Sequence, residues 1–325
     1  MKPRVTVVVP TYRRPALLER CLAALAAQDL PAHAYEVVVV HDGPDERTAR
    51  AIEHRRAELA ARGGPRLRLL CPPHGGPAAA RNAGWRAARA SLVAFTDDDT
   101  EPAPDWLSTA LERIGRDVDA AWGRIVVPLE PEPTDYELDA AGLARAEFAT
   151  ANCFCRKRAL ERIGGFDERF RLAWREDSDL YFRLLESGAR VVHLPEAVVA
   201  HPIRPARWGV SISQQRKIAF DALLFKKHRA LYRARIRQAP RWDYYAIVAA
   251  LAAGAAALVA GAPALALACF AVWAGLTAWL CRRRLARTSR RLPHVAEMIL
   301  TSVAIPPLAV FWRTIGALRY RVLFL

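Results

Sequence analysis

The sequence predicts an α/β domain with a doubly wound, mostly parallel sheet, followed by apolar helices. Three observations predict this fold class. Short β-branched runs alternate with Ala-, Leu- and Arg-rich stretches over the first two-thirds of the 325 residues. The composition then changes near residue 244 to Ala, Leu and Val with almost no charge. Basic segments flank that apolar region on both sides.

Four short apolar runs are predicted to be strands that are buried on both faces. They cover residues 5–9, 37–40, 67–70 and 92–95. Helical patterns lie between them, at 15–28, 46–62 and 77–89. Strands that alternate with helices favour a parallel sheet, which binds its ligands at the carboxyl ends of the strands. Chemistry is therefore expected in the loops that begin at Pro10, His41, Cys71 and Thr96.

The pattern becomes less regular beyond the fourth strand. A helix is predicted over 106–114 and a strand over 120–127, before a Pro-rich acidic loop at 128–139. No internal repeat is visible. We therefore predict one domain over residues 1–238, made of a first half at about 1–127 and a second half at about 128–238.

Residues 239–325 are predicted to associate with a membrane. Two apolar segments, 244–260 and 264–280, are each near the shortest length that spans a bilayer as a helix. The intervening Gly261-Ala262-Pro263 favours a turn, so the two segments predict a helical hairpin. A basic loop at 281–291 would then lie on the cytoplasmic side, where arginines are favoured.

A third apolar segment covers residues 295–322. It contains Glu297 and the pair Pro306-Pro307, and its last part carries arginines that a full span would move to the outer side. We therefore expect two interfacial or re-entrant helices on the cytoplasmic face, with a full span as the alternative.

The net charge of +15 is placed in a way that favours a membrane over nucleic acid. Basic blocks at 204–241 and 282–291 lie directly before and after the predicted hairpin. Positive charge in such positions attracts anionic lipid head groups. An anionic lipid surface is therefore an expected partner and nucleic acid is not. No signal-peptide pattern precedes the first strand, so we expect the N-terminal domain on the cytoplasmic side of the inner (plasma) membrane.

Three carboxylates, Asp97, Asp98 and Asp99, follow the fourth predicted strand. Adjacent carboxylates repel one another unless a cation neutralises them. Mg²⁺ and Mn²⁺ take oxygen ligands and commonly bridge a carboxylate to substrate phosphates. An acidic loop that caps the following helix is an equally good explanation of these residues alone.

Five further segments carry polar residues at the ends of predicted elements. Each has an ordinary structural explanation, such as a turn or the start of a helix. The segments are "VVVPTYRRP", "VVVVHDGPD" with Asp42, "HGGPAAARNAG" with Arg81, "WREDSDLYFRLLESG" with Glu176 and Asp177, and the strand that ends before His201.

Taken together and in order, the motifs resemble the family 2 inverting glycosyltransferases, which have the GT-A fold. The resemblance covers about residues 3–205. Six stretches carry it: "VTVVVPTYRR", "EVVVVHDGPD", "GGPAAARNAG", "FTDDDTEPAPDWL", "ANCFCRKRALERIGGFDERF" and "EDSDLYFRLLESGARVVHLPEAVVAH". One departure is His41, where members often carry an acid.

The resemblance implies a role for each candidate residue and a divalent metal, Mg²⁺ or Mn²⁺, as cofactor. Asp177 would be the catalytic base, and Glu176 beside it would shape the sugar or acceptor pocket. Asp99 and His201 would hold the metal. The nucleotide-sugar would be bound by Pro10, Thr11, Tyr12, Arg14, Asp42, Arg81, Asp97, Asp98, Asn152 and Trp174.

The resemblance also implies the reaction, in which a sugar passes from a UDP-, GDP- or dTDP-sugar to a hydroxyl. Residues 1–127 would bind the nucleotide and residues 128–238 the acceptor. The expected acceptor is a lipid-linked saccharide or glycolipid in cell-envelope polysaccharide synthesis. A bare polyprenyl phosphate is the alternative acceptor. An inactive membrane-anchored nucleotide-binding or scaffold protein is the alternative of another class.

Overall fold

A computed structural model describes residues 2–43 and 45–324. The chain forms two compact units. The first comprises the residues up to Pro128 together with Gly142–Ile203. The second comprises Leu129–Ala141 and the residues from Arg204 onward.

Regular elements cover most of the described chain, and short 3₁₀ or π turns join several of them. The strands are β1 (Val5–Thr11), β2 (Tyr35–His41), β3 (Arg66–Leu70), β4 (Leu92–Phe95), β5 (Glu101–Pro102), β6 (Ala120–Val126), β7 (Cys153–Arg156) and β8 (Val191–Ala200). The helices are α1 (Pro15–Ala26), α2 (Glu46–Ala61), α3 (Pro77–Ala87), α4 (Trp106–Arg113), α5 (Asp135–Ala140), α6 (Lys157–Ile163), α7 (Glu176–Glu186), α8 (Val210–Gln214), α9 (Ala219–Lys227), α10 (Arg229–Leu231), α11 (Trp242–Val259), α12 (Pro263–Leu285) and α13 (Leu292–Tyr320).

One eight-stranded sheet, in the order β3-β2-β1-β4-β7-β6-β8-β5, organises the first unit. Strands β1 to β4 pair in parallel, as the alternation of strands and helices predicts. β7 is antiparallel to both of its neighbours, β4 and β6, so the sheet is mixed beyond β4. The parallel half brings the carboxyl ends of β1, β2 and β4 to one edge of the sheet.

Close helix packing covers this parallel half. The β-branched side chains of β1 and β2, such as Val7 and Val38, are fully buried. α3 contains Gly84, where an added Cβ would lie 2.3 Å from Val8 Cγ1. Only glycine therefore allows α3 to approach β1 so closely, and this approach fixes the position of the residues on α3.

The second unit contains the predicted helical hairpin, formed by α11 and α12 with a turn at Gly261 (φ +73°). Much of the hairpin is exposed, including Val259 at 91% and Leu267 at 73%. α12 continues through Leu285, so Arg282, Arg283 and Arg284, which we expected in a loop, lie on its last turn. Both helices, and α13 after them, are long and apolar enough to cross a membrane.

The third apolar segment forms a single helix, so the expectation of two helices was wrong. Pro306 and Pro307 lie inside α13. Proline has a backbone φ that suits a helix, and its cost is the missing N–H. Because the two prolines are adjacent, this loss is confined to one turn. Met298 before the proline pair and Ala309 after it are both buried, so packing holds the helix on either side.

α13 contacts the hairpin at the end that carries charged residues. Arg284, on the last turn of α12, donates hydrogen bonds to Thr301 (2.8 Å) and Ser302 (3.0 Å). Twelve positions or so further along, Arg313 lies near Tyr245 on the first turn of α11. Both positions are at the end of the hairpin that carries the charged residues, its base, so α13 runs across this base.

Candidate active site at the ends of the parallel strands

The acidic loop after β4 is held by its threonines. Thr96 Oγ1 donates to the carbonyl oxygen of Ala151 at 2.9 Å, and Thr100 Oγ1 donates to that of Asp97 at 2.7 Å. Both threonines are fully buried. The loop is thereby fixed, and its three carboxylates point to three different partners.

Asp98 is tied to the end of β1. Thr11 Oγ1 donates to its Oδ2 at 2.7 Å, and Arg14 Nη1 donates to its Oδ1 at 3.3 Å. Burial raises the pKa of Asp98 to about 6, although Arg14 acts in the other direction. Both oxygens bond to protein in this structure, so the predicted contact with a ribose or sugar stays a prediction.

Arg81 connects two acidic residues from different parts of the chain. Its Nη2 donates to Asp97 Oδ1 at 2.6 Å and its Nη1 donates to Glu176 Oε1 at 3.0 Å. Burial opposes the charged form of Arg81, but the two carboxylates outweigh it and raise its pKa. Burial also opposes the charged form of Asp97, whose pKa is nevertheless lowered because Arg81 and His201 lie close. Arg81 and Asp97 therefore keep their charges.

Asp99 points to His201, with 3.5 Å between Oδ1 and Nε2. Ligand atoms of Asp97, Asp99 and His201 all lie within 4.8 Å of one another, close enough to hold one metal ion. His201 follows β8, whose last residues pair with β5 just after the acidic loop. Two carboxylates and an imidazole suit a divalent ion such as Mn²⁺.

Glu176 and Asp177 begin α7, directly after Arg175, which has a left-handed backbone (φ +73°). Burial raises the pKa of Glu176 to about 7, and its Oε2 is buried without a hydrogen-bond partner among the described residues. Burial also raises the pKa of Asp177. Asp177 Oδ1 accepts from the backbone N–H of Ser178 at 2.6 Å, while no described residue bonds to its Oδ2.

Asp42 lies at the end of β2 and binds the loop that precedes α3. Its two carboxylate oxygens accept from the backbone N–H groups of Gly75 (2.8 Å) and Gly76 (3.0 Å). Oδ1 retains a further acceptor position for a ligand. Gly76 has φ +89°, and an added Cβ would lie 2.6 Å from the carbonyl oxygen of Arg171. Glycine is therefore required at this turn.

His74 belongs to this end of the site, and sequence reasoning missed it. Its Nδ1 lies 3.0 Å from Asp42 Oδ2, and its ring stacks on that of Tyr12 with 4.7 Å between centroids. Both rings are exposed, at 57% for the His74 side chain and 39% for Tyr12. The signal was present in the sequence, because His74 lies in a loop that follows a parallel strand.

The remaining three predicted site residues are Pro10, Trp174 and Asn152. Pro10 is half-buried within β1. Trp174 is half-buried, and the Arg175 guanidinium lies 4.5 Å from the centroid of its ring. Asn152 is fully buried: it accepts from Trp106 Nε1 and donates to the carbonyl oxygens of Arg124 and Ala197. Its amide thus joins β6 and β8. Asn152 would therefore affect a sugar pocket by holding these strands in place.

Comparison with known proteins identifies the family. The model of "Glycosyl transferase family 2" matches residues 6–169, half of the chain, and that of "Glycosyl transferase family group 2" matches residues 134–282. The chain belongs to glycosyl transferase family 2. The first match includes the acidic loop and Arg81, and the second includes Asp177, His201 and most of the hairpin.

Two curated relatives are similar to about two-thirds of the chain. The pre-mycofactocin glycosyltransferase of Mycobacterium tuberculosis is 33% identical over 220 residues, which are 62% of this chain and 43% of the relative. The succinoglycan biosynthesis protein ExoM of Rhizobium meliloti is 30% identical over 229 residues, 66% of this chain and 71% of the relative. The chain thus spans less than half the length of the first of these relatives.

A solved structure agrees with the fold. The mannosyltransferase PcManGT of Pyrobaculum calidifontis, in complex with GDP-Man and Mn²⁺, matches with a TM-score of 0.54 at 23% identity. The match covers 93% of this chain and 88% of that one. The predicted GT-A fold of this family 2 chain is therefore confirmed.

Proposed function

We propose that the chain transfers a sugar from a nucleotide-sugar to a hydroxyl group of a membrane-associated acceptor, with inversion at the anomeric carbon. One observation carries the proposal. A candidate metal site at Asp99 and His201 and an acidic pair at Glu176-Asp177 are connected through Asp97 and Arg81 at the carboxyl ends of parallel strands. An inverting transfer needs a leaving-group site and a base that are close but separate.

The residues fit a divalent cation. Asp99 and His201 would hold it, and the carboxylate of Asp97 lies within reach of the same position. Such an ion, when bound, offsets the negative charge of a nucleoside diphosphate. The mannosyltransferase with the same fold was solved with Mn²⁺, which supports this choice of cofactor.

Asp177 is our candidate for the base. Its Oδ1 is oriented by Ser178, and its Oδ2 is available for the proton of an acceptor hydroxyl. A hydroxyl is a weak nucleophile until that proton is removed. Glu176, which bonds to Arg81, would position the sugar beside this base.

The donor would lie along the edge from β2 to β4. Asp42, with Tyr12 and His74 beside it, would contact the base of the nucleotide, and Pro10, Thr11 and Arg14 would contact the rest of it. Asp98, Asn152 and Trp174 would act on the sugar side. The donor would be a UDP-, GDP- or dTDP-sugar.

The acceptor would be a lipid-linked saccharide or glycolipid. Three C-terminal helices are apolar enough to cross a membrane, and arginines flank them. We propose a membrane region over 239–325 and a cytoplasmic catalytic domain over 1–238 at the inner membrane, consistent with the positive-inside rule. The alternative acceptor is a bare polyprenyl phosphate, and transfer to it would overturn the choice of a lipid-linked saccharide or glycolipid.

Calorimetry on the detergent-solubilised chain tests the proposal. UDP, GDP, dTDP and CMP would each be titrated with Mn²⁺, with Mg²⁺ and with a chelator. We expect tight binding of one nucleoside diphosphate that chelation abolishes. Absence of binding for every nucleotide and metal would overturn the proposal and favour an inactive scaffold.

A further inference from the structure

The second unit contains an open surface cavity, with both polar and apolar walls, that the proposed reaction does not use. It has a volume of about 490 Å³, which is within the range of small-molecule sites. The segment between β8 and α8 forms most of its wall, and Tyr136 of α5 forms another part. The side chains that matter for its chemistry are Tyr136, Arg204, Arg207, Trp208, Ser213 and Gln214.

Hydrogen bonds to the long helices fix the walls of this cavity. The backbone N–H of Gly209 donates to Glu297 Oε1 at 2.7 Å, and Trp208 Nε1 donates to the carbonyl oxygen of Pro293 at 3.4 Å. Both acceptors are in the first turns of α13. On the other wall, Arg284 Nη2 donates to Asp135 Oδ2 at 2.7 Å and so attaches α5 to α12. These hydrogen bonds hold the walls of the cavity in place.

These attachments also fix the level of the cavity relative to the apolar hairpin. Arg284 lies on the last turn of α12, next to Arg282 and Arg283. Arg283 lies 3.9 Å from Asp243 at the start of α11, so this is the charged base of the hairpin. If the hairpin is inserted in a bilayer, its base and the cavity beside it lie among the lipid head groups.

The charge balance of the cavity favours an anion. Arg207 is exposed and forms no ion pair with any described residue, and Arg204 supplies a second guanidinium. Asp135 forms an ion pair with Arg284 and so does not neutralise these two guanidinium groups, while Glu297 accepts from the neutral backbone N–H of Gly209. Guanidinium groups bind phosphate oxygens in a two-pronged geometry. Phosphate is therefore the anionic group that this site fits best.

An aromatic side chain stands beside these cations. Trp208 is 56% exposed although it is large and apolar. Indole rings are favoured at the boundary between lipid tails and head groups, because one edge is polar and the rest is not. A phosphate that is attached to a lipid chain would meet both features at once, whereas a free anion would use only the arginines.

We propose that this cavity binds the phosphate or diphosphate that joins a membrane-embedded acceptor to its lipid. The proposal deepens the proposed function and rests on it, since it names the class of acceptor as a lipid phosphate or lipid diphosphate. Arg207 and Arg204 bind the phosphate oxygens, and Trp208 contacts the first part of the lipid chain.

The test measures binding without requiring turnover. Farnesyl diphosphate would be titrated into the full chain in a neutral detergent, with farnesol and inorganic diphosphate as comparison ligands. We expect Arg207→Gln to weaken farnesyl diphosphate binding about tenfold, the usual effect of one lost charge-assisted hydrogen bond. Arg290→Gln removes an exposed arginine from the same basic region outside the cavity and is expected to leave binding unchanged.

Three results would overturn the proposal. Equal weakening by Arg207→Gln and Arg290→Gln would mean general attraction by positive charge. Equal affinity for farnesol would mean that the phosphate is not recognised. Equal affinity for inorganic diphosphate would mean a free-anion site instead of a lipid site.

A parallel measurement separates this proposal from the proposed function. Asp99→Asn is expected to abolish metal-dependent nucleotide binding and to leave farnesyl diphosphate binding intact. If nucleotide binding is absent from the wild type while farnesyl diphosphate binding is specific, the proposed reaction is wrong and the proposed lipid-phosphate site is correct. The opposite pattern would overturn the cavity alone.

Discussion

Arg81 Nη1 lies 3.0 Å from Glu176 Oε1, although the two residues are 95 positions apart in the chain. The same guanidinium bonds to Asp97 on the acidic loop. One buried cation therefore joins α3, the loop after β4 and the start of α7. This connection positions the acidic pair relative to the candidate metal site.

Arg81→Met is expected to destabilise the fold and abolish transfer. Removing one partner of a buried ion pair leaves uncompensated charge, which typically costs about 3–5 kcal/mol. Denaturant unfolding of Arg81→Met and of a control variant would measure this loss of stability. Arg86→Met is the matched control, because Arg86 lies on the same helix but is exposed, with its guanidinium 3.6 Å from Glu168 and 5.4 Å from the centroid of the Trp85 ring. Similar losses in both variants would contradict a special role for Arg81.

Asp99→Asn is expected to remove the metal dependence of nucleotide binding. The substitution replaces a charged oxygen ligand by a neutral amide beside His201. Calorimetry with a nucleoside diphosphate, with and without Mn²⁺, measures the effect. Asp105→Asn, an exposed position where the next helix begins, should retain metal-dependent binding. Unchanged Mn²⁺ dependence in Asp99→Asn would move the metal site elsewhere.

Asp177→Asn is expected to lower kcat by about 10²–10⁴-fold, the usual contribution of a general base. Nucleotide binding should stay close to that of the wild type, because Asp177 would act on the acceptor. In the wild type, kcat/KM should fall as the pH falls, with a midpoint above the ordinary range of an aspartate, since burial raises the pKa of Asp177. A full-rate Asp177→Asn enzyme would exclude it as the base.

Glu176→Gln is expected to stabilise the fold more at pH 8 than at pH 5. Burial raises the pKa of Glu176 to about 7, so the folded state holds its proton more tightly than the unfolded state does. The stability that protonation contributes is present at low pH and is lost as the pH rises from the unfolded pKa through about 7. Glutamine avoids this loss.

Thermal unfolding of both proteins across this pH range measures the effect. We expect the midpoint of Glu176→Gln to exceed that of the wild type by about 2–4 °C for each kcal/mol gained at pH 8. Glu161→Gln, on the exposed surface of α6, should show no pH-dependent gain. A difference between Glu176→Gln and the wild type that does not change with pH would mean that Glu176 is already ionised in the folded state near pH 5.

The C-terminal end of α13 is expected on the same side of the membrane as the N-terminal domain. α13 runs across the base of the hairpin, where Thr301 bonds to Arg284 and Arg313 lies near Tyr245. The chain would therefore cross the membrane only twice. Alkaline phosphatase fused after α13 should be inactive, and the same reporter inserted at the Gly261 turn should be active. Activity of the C-terminal fusion would mean that α13 spans the membrane.

Local sequence patterns were enough to predict the parallel half of the sheet. β1, β2, β3 and β4 follow from short β-branched runs, since a strand buried on both faces must be apolar along its whole length. The order of the polar loops then located the acidic residues at one edge. The antiparallel strand β7 was not predicted, because "CFCR" is too short to show its pairing direction.

In the candidate site, too, some features follow from local sequence and others only from the tertiary structure. The sequence by itself singled out Asp99, Asp177 and His201 as candidates and predicted the hairpin, because each depends on residue type and on position relative to a strand or an apolar run. Tertiary structure alone decided that Arg81 joins Asp97 to Glu176, that His74 stacks on Tyr12, and that α13 lies across the base of the hairpin. These relationships depend on contacts between residues far apart in the chain, and local periodicity carries no information about such contacts.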